Sequence, residues 1–466
     1  MLTGAAMVGQ CPKRLLGQWI RYKTLLLYTK TGGPALCYGR SAVVSSGCRM
    51  KKMIEYTKHI LDNGMVVLTH ESWDTPFATT NLLYGVGARN EDPQRTGFAH
   101  LFEHLMFGGT PQVPDFDRVV SGLGGESNAF TNNDYTDYYI TLPVEGLRTA
   151  LVLEADRMAH LDISQRALEV QQHVVTEEYN QRYINQPYGD VWLLLRPLCY
   201  TVHPYRWATI GADIRHVSEA TLEDVRDFHQ RWYRPQNAIL AVAAPMAEAE
   251  QLRLVESAFG SFENADRCWK PMDFGAVEPV QTARREQRVT RQVPASMVYV
   301  AWPMCDRFDP RFRWCDLLSD VLGNGMSSRL YSRLVREEQI MTEADACITG
   351  DAGQGLLVLN GKMAPGHTTA EGIEALRSEA YRLTAEAVDE YELQKVVNKY
   401  ENTFVYSQYK AADRALSLCY YTWLGDTDLV NSEPEQYRKA TSEALLGAAR
   451  DFIRPEHENI LYYEAD

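Results

Sequence analysis

The sequence predicts an α+β fold of two similar domains, each a mostly antiparallel sheet packed with helices. Three observations lead there. Strand-period and helix-period segments alternate in blocks. The order of those blocks in the second half echoes the first. Between the halves, from about Phe262 to Gln287, lies a polar, Pro-containing, charge-mixed stretch with little periodicity. A chain of 466 residues with 45% hydrophobic content also exceeds what one core usually holds. The expected boundaries are a basic extension over residues 1–52, a first domain over 53–265, a linker over 266–287 and a second domain over 288–466.

Each element has its own signal. His59-Ile60-Leu61 and Met65-Val66-Val67-Leu68 flank Asn63-Gly64, a hairpin turn signal. Ala78 to Val86 reads as a further strand, and Ala129 to Leu142, rich in Tyr and Thr, has strand composition. Leu147, Ala150, Leu151, Met158 and Leu161 keep helical spacing. A second helix runs from about Gln165 to Tyr183, where Asn185-Gln186-Pro187-Tyr188-Gly189 breaks it. In the second half Ala295 to Trp302 is a strand and a helix from about Phe312 leads into Gly323-Asn324-Gly325. Leu393, Val396, Val397, Tyr400 and Phe404 form a late helical stripe.

Charge and cysteine usage exclude several classes. The net charge is −14, although residues 1–52 hold nine Lys/Arg and no acid, so the body is strongly acidic. Nucleic acid, whose phosphates demand clustered basic side chains, is not an expected partner. Nine scattered Cys include no Cys-x-x-Cys pair, which argues against a disulfide framework and for a reducing compartment. The richest apolar run, Ala238 to Ala247, is interrupted by Pro245 and falls short of the roughly eighteen residues a bilayer span requires, so no membrane is expected. The basic extension, with Gly32-Gly33-Pro34 and no sustained period, reads as sequence upstream of a true start at Met50 or Met53. A transit peptide is the alternative. The expected location is therefore cytoplasmic, or an organelle if the extension is a transit peptide.

The chemistry rests on His100-Leu101-Phe102-Glu103-His104. Two imidazoles at i and i+4 share one helix face, a spacing that a tetrahedral zinc ion can bridge. Glu103 stays outside the coordination sphere, free to take a proton from a water that the metal activates. The apolar flanks Ala99, Leu101, Phe102, Leu105, Met106 and Phe107 predict a buried helix, and Gly108-Gly109-Thr110-Pro111 ends it. Buried imidazoles and a buried carboxyl need partners. Catalytic zinc commonly takes a third protein ligand, and Glu177 and Glu178 are the candidates. Val174 and Val175 lie one turn earlier on the same face as Glu178, which points Glu178 inward. His173 reads as exposed and His203 as a loop or packing residue.

These blocks resemble the zinc peptidases of the pitrilysin/insulinase family, in the half-length branch related to mitochondrial processing peptidase. His100 to His104 is similar to the family's inverted His-x-x-Glu-His, Ser127-Asn128-Ala129-Phe130-Thr131 to its substrate strand, and Val174-Val175 with Glu178 to its third-ligand helix. His203-Pro204-Tyr205, Thr209-Ile210-Gly211 and Tyr233 to Ala238 extend the likeness from about residue 54 to the end. The resemblance implies zinc held by His100, His104 and Glu178, with Glu103 as general base. It also implies peptide substrates paired along Asn128, Ala129 and Phe130. In the second half Arg329 matches a family arginine that steadies the tetrahedral intermediate, but the tyrosine expected shortly downstream is replaced by the stretch Gln339 to Ala344. A homodimer, or a heterodimer with a metal-free paralogue that keeps the tyrosine, is the implied assembly.

The expected function is a zinc-dependent endopeptidase acting on unfolded peptides in a chamber. The competing expectation is a non-catalytic scaffold or assembly subunit of the same family. Retention of the full ligand set favours the first.

Overall fold

The computed structural model describes residues 54–263 and 275–466. The expected extension over residues 1–52, a start at Met50 or Met53, and the expected linker up to residue 274 lie outside the described residues.

Two sheets organise the chain. In the first half β1 (Thr57–Ile60), β2 (Val66–Glu71), β3 (Phe77–Tyr84), β4 (Glu126–Thr131), β5 (Thr136–Pro143) and β6 (Ala238–Ala244) lie in the order β1-β2-β6-β3-β5-β4. In the second half β7 (Arg285–Arg291), β8 (Met297–Pro303), β9 (Met341–Ile348), β10 (Leu356–Met363) and β11 (Asn459–Ala465) lie in the order β7-β11-β8-β10-β9. From β2 onward the topologies are the same. The last strand of each half inserts between two early ones, β6 between β2 and β3 and β11 between β7 and β8, parallel to the first of each pair and antiparallel to the second.

The helices of the first half are α1 (Phe98–Leu105), α2 (Phe116–Gly122), α3 (Leu147–His160), α4 (Gln165–Tyr179), α5 (Val191–Cys199), α6 (Arg215–Ser218), α7 (Leu222–Trp232) and α8 (Glu248–Phe259). Those of the second are α9 (Phe312–Gly323), α10 (Thr369–Ala385), α11 (Glu390–Ser407), α12 (Ala411–Trp423), α13 (Leu429–Arg438) and α14 (Ser442–Phe452). Helix α9 occupies in the second half the place of α1 in the first. It carries Asp316 and Asp320 at i and i+4, bonded by the Tyr437 hydroxyl (2.9 Å) and the Asn324 amide (2.6 Å).

Local chemistry fixes the first hairpin. Gly64 adopts φ 84°, a left-handed turn, while the Asn63 amide reaches the Phe259 carbonyl at 2.7 Å and ties the turn to α8. Two expectations need correction. Residues 285–287 of the expected linker belong to β7, an edge strand whose charged residues hide its periodicity. The strand-like stretch from Ala129 resolves into β4 and β5 around a turn at residues 132–135, with β4 starting earlier, at Glu126.

The sequence pattern also missed an exchange of helices. Strand β6 is buried along its whole length, so both its faces need cover. Leu240 and Val242 pack into the first-half core with α1, α3 and α4, whereas Ile239, Ala241 and Ala243 pack against Leu418, Cys419 and Trp423 of α12 from the second half. The reciprocal holds for α5. Val191, Leu195 and Cys199 cover Tyr299, Ala301 and Val358, on the opposite face of the second sheet from Val300, Trp302 and Leu359. The two halves therefore share apolar surface and should unfold together. Leu418→Ala, at a fully buried position, is expected to cost about 2–5 kcal/mol and to lower the midpoint of one cooperative denaturant transition. Two separate transitions, with only the later one shifted, would contradict the shared core.

The tips of two equivalent hairpins meet at the seam. Asn133, between β4 and β5, donates to Asp351, between β9 and β10, at 2.7 Å, and Asp134 accepts from the Ala352 amide at 2.9 Å.

Candidate metal centre

Helix α1 starts in an unusual way. Gly97 takes φ 89° and offers no side-chain cap, and a Cβ there would lie 2.8 Å from the Ile210 carbonyl oxygen. Glu91, a carboxyl that burial pushes up to about 8, replaces the cap: its two oxygens accept from the amides of Gly97 (2.9 Å) and Ala99 (2.8 Å). On its apolar side Phe102 stacks on Phe228 and Tyr233, which fixes the helix roll. The roll turns His100 and His104 together, with ring centroids 4.8 Å apart, toward α4.

Glu178 meets them from α4. Its Oε2 lies 3.6 Å from His100 Nε2 and 3.2 Å from His104 Nε2, and the candidate ligand atoms of all three lie within 4.8 Å of one another. The neighbouring Glu177 is exposed. Of the two valines expected to turn Glu178 inward, Val175 is buried but Val174 is 40% exposed, so the inward face is set by the i−3 residue alone. Arg182, one turn further along, pairs with Glu178 Oε1 at 2.6 Å.

Electrostatics prepare the group for a cation. Burial would raise the Glu178 carboxyl, but the His104 bond and the charges of His100 and Arg182 outweigh it and hold the group at about 2. Burial lowers His100 to about 4, so its imidazole is neutral at pH 7. His100 is 2% exposed and, among the described residues, neither of its ring nitrogens has a hydrogen-bond partner. Such an orphaned buried imidazole is costly unless something else satisfies it. Two imidazoles and an ionised carboxylate make the donor set of a catalytic zinc site, and the residues fit that ion.

Glu103 stands beside the group without joining it. It is 7% exposed, and burial raises its carboxyl, opposed by a hydrogen bond to Thr131 at the end of β4. Asn128, Ala129 and Phe130 lie on that strand, the outermost of the first sheet, so among the described residues one side of its backbone is free of strand partners. The Asn128 side chain accepts from the Ala129 amide at 2.9 Å.

Arg329 is not brought to this group. It lies in the second half, where Glu392 engages its guanidinium at 3.1 and 2.6 Å in a cleft also lined by Arg333, Glu379 and Arg382. His173 is exposed, and His203 accepts from the Tyr205 amide at 3.1 Å in a buried packing role, both in line with the sequence. Sequence reasoning missed Arg182, whose i+4 spacing from Glu178 was a usable signal, and Glu91, which has none.

Comparisons with known proteins agree with this architecture. The family model described as Insulinase (Peptidase family M16) matches residues 66–188, and that described as Peptidase M16 inactive domain matches residues 219–400. The zinc protease PqqE of Helicobacter pylori is 32% identical over 65% of this chain and 69% of its own length. A probable mitochondrial-processing peptidase subunit beta of Schizosaccharomyces pombe is 26% identical over 64% of this chain and 66% of its own. Among solved structures, a protease from Helicobacter pylori shares the fold with a TM-score of 0.83 at 24% identity, covering 88% of this chain and all of that one. A peptidase M16 inactive domain from Pseudomonas fluorescens does so with a TM-score of 0.79 at 16% identity, covering 88% and 98%.

Proposed function

From the premise that this chain belongs to the insulinase family of peptidases, we propose that it is a zinc-dependent endopeptidase hydrolysing peptide bonds in unfolded peptides held in a chamber. The observation that carries this reading is the convergence of His100, His104 and Glu178 with Glu103 beside them.

His100 and His104 would hold the metal through Nε2 and Glu178 through Oε2. Bound there, zinc would polarise the scissile carbonyl and ease deprotonation of water. The chain's own residues do the rest. The Glu103 carboxylate takes the proton of the attacking water and passes it to the leaving amine, a role that its burial suits by bringing its pKa closer to neutrality. The open side of β4 pairs with an extended peptide through backbone groups near Asn128, Ala129 and Phe130, which binds main chain with little regard to side chains. Thr131 bonds Glu103 at the end of that strand, so the peptide's path and the base share one element.

Assembly belongs to the same proposal. Arg329 bonds Glu392 through Nε and Nη2 within its own chain and lacks the downstream tyrosine, so oxyanion support comes from a second chain, either another copy or a metal-free paralogue. The alternative of a non-catalytic assembly subunit draws on the inactive-domain match over residues 219–400. One experiment separates them. Wild-type chain, alone and with its native partner, is offered a quenched peptide library before and after a zinc chelator. Cleavage that stops with the chelator and returns with added zinc is expected, and its absence in both states would favour the scaffold.

A further inference from the structure

The seam between the two halves reaches the metal helix. At the tip of the β4–β5 hairpin, the two oxygens of Asp134 are shared among three partners. Its Oδ2 takes the Ala352 amide of the second half, and its Oδ1 takes the Tyr205 hydroxyl (2.5 Å), which itself accepts from the Gly353 amide (2.8 Å). Arg89 lies 3.2 Å from the same Oδ1, with both side chains buried. Beside it Asn133 donates to Asp351.

The tip in turn holds the segment that leads to α1. The amides of Ala88 and Arg89 donate to the carbonyls of Asn132 (3.1 Å) and Asn133 (2.9 Å). Two residues on, Glu91 sends both oxygens to the first turn of α1, whose Gly97 start has no cap of its own. On the other side of the tip, Thr131 bonds Glu103. The hairpin tip thus touches the second half, the edge strand and the approach to the metal helix at once.

We propose that Glu91, Asn133 and Asp134 are positioning residues on one buried track, Glu91 at the helix end and Asn133 with Asp134 at the hairpin tip, through which the metal-free half sets the pose of the helix bearing His100, Glu103 and His104. This deepens the peptidase reading and rests on it. It also gives the second half a task inside its own chain. Docking of its hairpin tip holds the segment from Ala88 to Glu91, and that segment holds the helix. A chain of buried polar side-chain and backbone bonds is suited to this because none of its members can relax into water without loss.

The test uses the full chain with its native partner. Zinc affinity is read by chelator competition, kcat and KM on a quenched peptide, and folding by thermal midpoint, for Glu91→Gln, Asn133→Ala and the double variant. Glu91→Gln is expected to weaken zinc and lower kcat by about tenfold each while KM moves by less than about twofold. Asn133→Ala, which touches neither α1 nor a ligand, is expected to lower both by about threefold. The double variant should lose less than the product of the two, because a track broken once has less to lose at its second break. Should Glu91→Gln not fold, Asn133→Ala decides alone. Wild-type zinc affinity and kcat in variants with lowered midpoints, or strictly multiplicative losses, would reduce these residues to structural glue. Wild-type chain that holds zinc but cleaves nothing defeats the peptidase reading and leaves the affinity comparison to decide the track. Wild-type chain that holds no zinc overturns both.

Discussion

Glu103→Gln is expected to retain zinc while lowering kcat by about 10²–10⁴-fold, the range a positioned general base supplies. The amide has the same shape and can keep the Thr131 contact, so the 7%-exposed pocket should be filled as before. What it loses is the capacity to take a proton. Because Glu103 lies beside the three-residue cluster and not in it, zinc affinity measured by chelator competition should stay close to wild type. A KM near that of wild type is also expected, since substrate pairing along β4 does not use this carboxyl. Zinc loss matching the activity loss would show instead that Glu103 is a ligand, and unaltered kcat would place the base elsewhere.

The second large effect belongs to Glu178. Its Oε2 faces both Nε2 atoms, so Glu178→Ala leaves two imidazoles to hold the ion alone, beside an Arg182 cation deprived of its partner. Loss of an outer-shell residue costs about 10–100-fold in metal affinity, and loss of a direct ligand should exceed the upper end of that range. Peptide cleavage should fall with the metal. Glu177→Ala is the internal control, because Glu177 is exposed and should change neither quantity. The reverse pattern, with Glu177→Ala losing zinc and Glu178→Ala keeping it, would overturn the assignment of the third ligand.

Much of the architecture was legible because period and position agree. The hairpin around Asn63-Gly64, strand β3, helices α1, α3 and α4 and the stripe from Leu393 to Phe404 all stand where their patterns placed them. Two similar halves were also readable from element order, and the strand order shows how far the likeness goes. The exchange of α5 and α12 was not readable in the same way. Period identifies a buried face and not the partner that buries it. A signal was present in β6, whose unbroken apolar run Ala238 to Ala244 demands cover on both faces. Strand β7 escaped because an edge strand carries charge where a central strand carries valine.

At the site, the triplet His100, Glu103 and His104 was visible because a helix converts spacing into a common face. Glu178 could be narrowed from the acidic pair through Val175, although Val174 turned out to face solvent. Glu91 and Asp134 left no trace in spacing, since their partners are backbone amides brought near by the tertiary fold. Arg329 shows what a motif leaves out. A motif assigned it a role, while spacing gave no sign that Glu392 would engage its Nε and Nη2 atoms in this chain.

The central claim is that His100, His104 and Glu178 together grip one zinc ion. X-ray absorption at the zinc edge of the metal-loaded chain tests it most directly. The account predicts one zinc per chain with nitrogen and oxygen neighbours at about 2.0–2.2 Å, including two imidazoles, and loss of that signature in Glu178→Ala. A sulfur neighbour at about 2.3 Å, or a spectrum that Glu178→Ala leaves unchanged, would contradict it.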